Sequence, residues 1–424
     1  MINRTVAPKA NPINHINFLK PELKHLNNNI PVYFMKGGEQ EMLRLEILVE
    51  NKYFDVNKPL KGMAVSALLK NGTTKRSAKE LVEIIDQYGA FFDAEYTSDR
   101  IIVTLYVLEK YWNQVLPIVK EVVQESIFPE EELVIYKRNQ QQKFKVNMQK
   151  NDFLAKKTFA HEVFGDTPYG IDIQLSHYDL LTREDLIEYY NQSFIPNNMS
   201  IILSGNIKPS YFEDLNGFFG ENKVIDNLPE AKKYSFEPTI GRKVYLEKPD
   251  ALQSAIRIGN ISINRKHEDY AGLCVLVCVL GGYFGSRLMT NIREDKGYTY
   301  GIGAAIVPLK EVGQFYITTE VGVDVCASAL EEIYKEIERL RTEEITEKEL
   351  DLVRNFMLGS LLGSLENIFS HTQKFKNLLF SGMDYAYFEH YINVVKTIDA
   401  STLKTLAQKY LEPANFVEVV VGKK

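Results

Sequence analysis

Cysteine is scarce: Cys274, Cys278 and Cys326 are the only three in 424 residues. A disulfide-stapled fold is thereby excluded. Cys274 and Cys278 lie four apart in the apolar run AGLCVLVCVL (residues 271–280). That is the spacing of core positions on one helix face, and no further ligand stands nearby for metal or redox work. Histidine is sparse too: His15, His25, His161, His177, His267, His371 and His390, no two within five residues of each other. No local pair of imidazoles is available to hold a metal ion. The longest apolar runs fall short of the ~18 residues of a membrane-spanning helix. The opening residues MINRTVAPKANPINHINF lack the apolar segment of a secretory signal, so a cytoplasmic chain is expected. A net charge of -6 and a pI near 5.8 offer no basic face for nucleic acid and no polybasic stretch for a membrane surface.

What is present is an ordinary globular composition, 45% apolar and 25% charged, in a chain too long for a single core. It repeats itself. FPEEELVIYKRN (Phe128–Asn139) parallels ITEKELDLVRN (Ile345–Asn355), and LTREDLIEYYNQSFIPNNMSIILSGN (Leu181–Asn206) parallels IDASTLKTLAQKYLEPANFVEVVVGK (Ile398–Lys423). Leu133 and Leu350, Leu186 and Leu403, Pro196 and Pro413, Asn198 and Asn415, and Gly205 and Gly422 are each separated by 217 positions. One offset across two separated segments marks an internal duplication.

RIIVTLYV (Arg100–Val107) and QFYITTEV (Gln314–Val321) read as strands, each followed by an amphipathic helix. Leu116, Val119, Val123 and Ile127 mark the first helix, which has Pro117 near its first turn or at a bend. Leu330, Ile333, Tyr334, Ile337 and Leu340 mark the second, with Asp324 as its expected N-cap. The polar, aperiodic stretch Glu221–Pro238 is the expected linker. The expectation is two similar α+β domains, residues 1–220 and 239–424, joined by residues 221–238.

Four segments carry a family resemblance. LGGYFGSRLMTNIREDKGYTYGIGA (Leu280–Ala304) resembles the C-terminal signature of the M16 metallopeptidases, the family of pitrilysin, insulin-degrading enzyme and the mitochondrial processing peptidase. KGMAVSALLKNGTTKRSAKELVEIIDQYGAFFDAEYTSD (Lys61–Asp99) resembles the corresponding N-terminal stretch, and FGDTPYG (Phe164–Gly170) and FIPNNMSIILSGNI (Phe194–Ile207) match further blocks. The resemblance spans nearly the whole chain and is strongest to the short bacterial two-domain type. It implies two homologous domains, each a mostly antiparallel sheet packed with helices, in chains that close pairwise around a chamber.

Active members of that family carry His-x-x-Glu-His on an N-terminal helix, with a second glutamate downstream, to hold zinc and activate water. The matching stretch here, Gly62–Leu69, contains no histidine and no carboxylate and is about two residues shorter before Gly72-Thr73. The region of the downstream ligand, KRNQQQKFKVNMQKNDF (Lys137–Phe153), offers glutamines and lysines. No metal is therefore expected in this chain, and no catalytic residue of its own.

The resemblance also implies an arginine and a tyrosine from the C-terminal domain, matched by Arg293 and Tyr300. Ser286 is an expected N-cap for a helix over about 287–296, with Leu288, Ile292 and Met289 toward the core and Gly297 at its end. The residues alone also allow Arg293 to pair with Glu294 or Asp295 and Tyr300 to pack in a sheet. GGYFGS (Gly281–Ser286) lacks the lysine of a phosphate-binding loop.

The function implied is a non-catalytic subunit of a heterodimeric M16 zinc peptidase. It would bind unfolded peptide and supply Arg293 and Tyr300 to the zinc site of a partner homologue. The alternative is a structural or peptide-binding homodimer without proteolytic role.

Overall fold

The computed structural model describes Ile13 and residues 15–221, 224–225 and 230–423. Among these residues, eleven strands form two sheets. The first comprises β1 (Glu22–His25), β2 (Pro31–Lys36), β3 (Met42–Glu50), β4 (Phe91–Tyr96), β5 (Arg100–Leu108) and β6 (Met199–Gly205), in the order β1-β2-β6-β3-β5-β4. The second comprises β7 (Lys243–Glu247), β8 (Gln253–Ser262), β9 (Thr299–Pro308), β10 (Gly313–Gly322) and β11 (Val417–Gly422), in the order β7-β11-β8-β10-β9. Each sheet is antiparallel except for one pair, β2 with β6 and β7 with β11. The fold is the α+β arrangement expected, built twice.

The 217-position offset holds in the later part of each half, while the strands and helices before it, such as β5 and β10, begin 213 apart. Glu130–Asn147 and Glu347–Gly363 are helices that begin 217 apart. Arg183–Ser193 and Ala400–Tyr410 match at both ends, as do the 3-10 turns Pro196–Asn198 and Pro413–Asn415. Leu133 and Leu350 hold the same fully buried place on their helices. Gly205 and Gly422 end their strands at φ +131° and +139°, where an added Cβ would lie 2.4 Å from the Met42 carbonyl or 2.6 Å from the Ser254 hydroxyl. Only glycine combines that backbone with that approach.

The two halves exchange a helix. Asn151–Phe164 packs on the second sheet, with Phe159 and Val163 against Val417, Val419 and Val421. Ile368–Ser381, offset by 217 at both ends, packs on the first sheet, with Ile368 and Phe375 against Met35, Leu48 and Ile202. Each helix thus covers a sheet face that would otherwise be apolar and wet.

Three local expectations are corrected. Asp324 caps no helix: Val323–Val325 form a 3-10 turn, and the helix Cys326–Thr342 starts behind Val325 without a side-chain cap. Tighter 3-10 bonds satisfy end groups that a cap would otherwise serve. Pro117 sits inside the helix Trp112–Glu125, beyond its first turn, and Ile127 lies past its end. The helix stops at Ser126 because that hydroxyl bonds the Val122 carbonyl and the chain turns extended.

No helix or strand occurs from Glu230 to Arg242, although Phe236 stacks on Tyr169 and the Thr239 hydroxyl donates to the Glu162 carbonyl. Residues 222–223 and 226–229 of the expected linker lie outside the described residues. No helix among the described residues is long and apolar enough to cross a membrane.

Candidate functional site

The stretch matched to the metal-binding helix folds as Lys61–Leu68. Val65, Leu68 and Leu69 are 0%, 3% and 1% exposed, and Gly62 and Ala64 are buried with them. Apolar side chains spread around the helix bury it on nearly all sides. Beside its start, Tyr96 and Tyr189 bond Asn51 at 2.9 and 2.8 Å. A Cβ on Gly62 would stand 2.5 Å from the Tyr96 ring, so glycine lets the helix and these rings meet. Burial pushes the Tyr96 phenol up to about 12, so it stays neutral while accepting from the Asn51 amide.

On the helix Glu130–Asn147, Lys137 donates to the carbonyls of Asp179 and Leu181, and Gln141 donates to the Asp179 carboxylate at 2.7 Å. This donor set does not fit zinc: it offers no imidazole, thiol or carboxylate where the metal would sit. Among the described residues no three His, Cys, Asp or Glu are grouped to hold a metal ion.

The C-terminal half is built differently at the candidate pair. After the helix Tyr270–Val277 the chain makes two wide π-helical segments, Cys278–Gly282 and Met289–Asp295. The second replaces the regular helix expected over 287–296. Its widened turn is closed by the Lys296 amide on the Asn291 carbonyl at 3.0 Å. Such widened turns concentrate at functional sites. Leu288 and Ile292 are fully buried, Met289 is half-buried, and Gly297 ends the segment at φ +65°, as its position predicts. Ser286 is a correction: its hydroxyl is buried with no partner among the described residues, and only its carbonyl serves the turn, accepting from Thr290.

Strand β9 opens with Thr299 and Tyr300. Across the ladder, Thr319 faces Ile302 and Val321 faces Thr299, so Tyr300 and Gly301 together oppose Glu320 alone. This is a β-bulge, and bulges re-aim side chains. The hydroxyls of Thr299 and Thr319 hold it, reaching the Glu320 carbonyl at 2.6 Å and the Gly301 carbonyl at 3.0 Å. Tyr300 is swung out of the sheet to 93% exposure.

Arg293 reaches the same place. Its Nε donates to the Tyr300 carbonyl at 2.9 Å, and its guanidinium carbon lies 6.0 Å from the Tyr300 ring and 4.6 Å from the Phe284 ring. The structure thus brings the two candidate residues together. A contact with Glu294 exists, at 3.9 Å and partly exposed, a geometry worth little. On the strand beside the bulge, the Glu320 carboxyl is raised above its ordinary range, first by burial and then by Asp152. Phe284, 62% exposed, escaped the sequence reading. An aromatic set among glycines in GGYFGS was the available signal.

Comparison with known proteins fits this arrangement. The family model described as "Insulinase (Peptidase family M16)" matches residues 58–173, and the one described as "Peptidase M16 inactive domain" matches residues 180–357. Together they take in well over half of the chain. An "Uncharacterized zinc protease YmxG" of Bacillus subtilis is 26% identical over 344 residues, 80% of this chain and 82% of that protein. A "Non-peptidase homolog YmxG" of Helicobacter pylori is 24% identical over 374 residues, 84% of this chain and 83% of that protein. The crystal structure of a peptidase M16 inactive domain from Pseudomonas fluorescens has the same fold, with a TM-score of 0.85 at 20% identity over 95% of this chain and 98% of that one.

Proposed function

This chain belongs to the peptidase M16 family, and from that premise we propose that it is the non-catalytic subunit of a heterodimeric zinc peptidase. It holds unfolded peptide and lends Arg293 and Tyr300 to the zinc site of a metal-bearing homologue. The observation that carries the reading is the exposure of Tyr300 on a bulge, braced by Arg293. A tyrosine 93% exposed contributes almost nothing to this chain's own core. Its hydroxyl and the guanidinium are donors suited to a peptide carbonyl that gains negative charge. The apolar helix Lys61–Leu68 explains why the chemistry needs another chain.

The sheets supply the means of holding peptide. β4 and β9 each pair on one side only, and β9 carries Tyr300 itself. An extended segment can add to such an edge through backbone bonds, without sequence readout.

Reconstitution with a zinc-bearing homologue from the same genome tests the reading. Tyr300→Phe removes one hydroxyl and keeps the ring, and turnover of a peptide should fall on the order of 10²–10³. Arg293→Lys keeps the charge, loses the planar fork and should lower activity as well. Size-exclusion chromatography should show the pair intact in both. Elemental analysis of the isolated chain after dialysis should find no stoichiometric zinc. Full activity in both variants with assembly preserved would overturn the shared site and leave the homodimeric scaffold in its place.

A further inference from the structure

The exchanged helix Ile368–Ser381, together with Tyr270–Val277, Glu347–Gly363 and Ala386–Thr397, lines an open pocket of about 360 Å³ to which neither Arg293 nor Tyr300 contributes. That volume is at the small end of ligand sites. Its wall is mixed: Phe356, Leu361, Leu378 and Tyr391 supply apolar and aromatic surface, and Ser360, Ser364 and Asn377 supply polar surface. Two cations, Arg265 and Lys374, line it, and no aspartate or glutamate does. Both are half-buried. The Lys374 ammonium is held below its ordinary range by burial and then by the neighbouring Arg265 charge. Arg265 bonds the Ser381 hydroxyl at 3.3 Å, a neutral partner.

The internal repeat shows what is missing. Lys374 occupies the position of Lys157 in the first half, 217 residues earlier. Lys157 is ion-paired to Asp172. The residue 217 beyond Asp172 is Glu389, which is exposed and makes no ion pair with Lys374. The second half has thus kept the half-buried lysine and set Arg265 beside it, while Glu389 lies on the helix Ala386–Thr397, an element with no counterpart at Asp172. Two neighbouring cations in a partly desolvated site cost free energy until an anion joins them.

We propose that this pocket binds a small monocarboxylate with an apolar body, its head between Arg265 and Lys374 and its body against Phe356, Leu361 and Tyr391. The carboxylate belongs either to a free alkyl or aryl acid or to the C-terminus of a peptide ending in an apolar residue. Cys274 also lines the pocket, and burial raises its thiol, which disfavours the thiolate that covalent capture would need.

Isothermal titration calorimetry on the full chain decides it, with octanoate, N-acetyl-glycyl-phenylalanine and the amide of that dipeptide as probes. At least one acid should bind, and the amide at least 10-fold more weakly than its acid. Octanoate alone would mark a free-acid site, and the dipeptide alone a C-terminus site. Arg265→Gln and Lys374→Met should each weaken binding at least 10-fold. Lys374→Met loses no ion pair, so its Tm should stay at or above that of the parent chain, and it serves should Arg265→Gln misfold. No heat with either acid up to millimolar concentration would sink the proposal. So would equal affinity for acid and amide, or parent-like affinity in folded Lys374→Met.

Discussion

Phe159 and Lys376 occupy one position of the repeat, on the two exchanged helices, and they are buried in opposite ways. Phe159 is 2% exposed in an apolar interface of valines from β11. Lys376 is 6% exposed and bonds Glu46 at 2.5 Å, while Glu46 also pairs with Arg44 at 2.9 Å. One half docks its helix by dispersion and burial, and the other adds three enclosed charges. The duplicated fold therefore dictates where the helix lies and leaves the chemistry beneath it free to diverge. The same holds at the candidate site. The first half has packed the helix Lys61–Leu68 and its end with Val65, Leu68 and Leu69, whereas the second holds a half-buried Arg293 beneath an exposed Tyr300.

The sharpest test compares the two helix interfaces. Glu46→Gln strands Arg44 and Lys376 without a counter-charge and should cost about 3–5 kcal/mol in denaturant unfolding. Phe159→Ala should cost a similar amount through a cavity. The two mechanisms separate in the triple variant Arg44→Met, Glu46→Leu, Lys376→Met, which should recover most of the loss, because well-packed apolar groups replace buried ion networks without penalty. If the triple variant falls as far as Glu46→Gln, the charges are essential to docking and the two interfaces are not equivalent.

A smaller effect distinguishes the paired lysines. Lys157→Met removes a partner from Asp172, whose side chain is 38% exposed, and should cost about 0.5–1 kcal/mol. Lys374→Met should cost nothing measurable in the absence of ligand. Equal losses would mean that Lys374 has a stabilising partner within the fold.

The smallest test concerns two hydroxyls, Thr346 at an observed helix start and Ser286 at an expected one. Thr346 caps Glu347–Gly363, accepting from the Glu349 amide at 3.3 Å, and Thr346→Ala should cost about 1 kcal/mol. The Ser286 hydroxyl bonds nothing among the described residues, so Ser286→Ala should change stability by less than about 0.5 kcal/mol in either direction. Thermal melts of the two variants compare them directly.

The repeat, the α+β class and the pairing of Leu133 with Leu350 were legible in the sequence. Each is a matter of residue type at a fixed spacing, which is local information. Arg293 and Tyr300 were legible as a pair only through family resemblance, since their own spacing is compatible with a surface ion pair and a sheet tyrosine. The tertiary structure alone decided the rest. The π-helical winding that places Arg293 depends on packing against β9 and the helix Cys326–Thr342, and the bulge that turns Tyr300 outward depends on pairing with β10. The exchange of helices follows from which sheet face is left uncovered after both halves have formed. The pair of cations in the second half's pocket emerges only when Arg265, 109 residues from Lys374 in the chain, is brought into the same lining. Side-chain spacing encodes elements, but contacts between distant elements determine which charges are paired and which are left for a ligand.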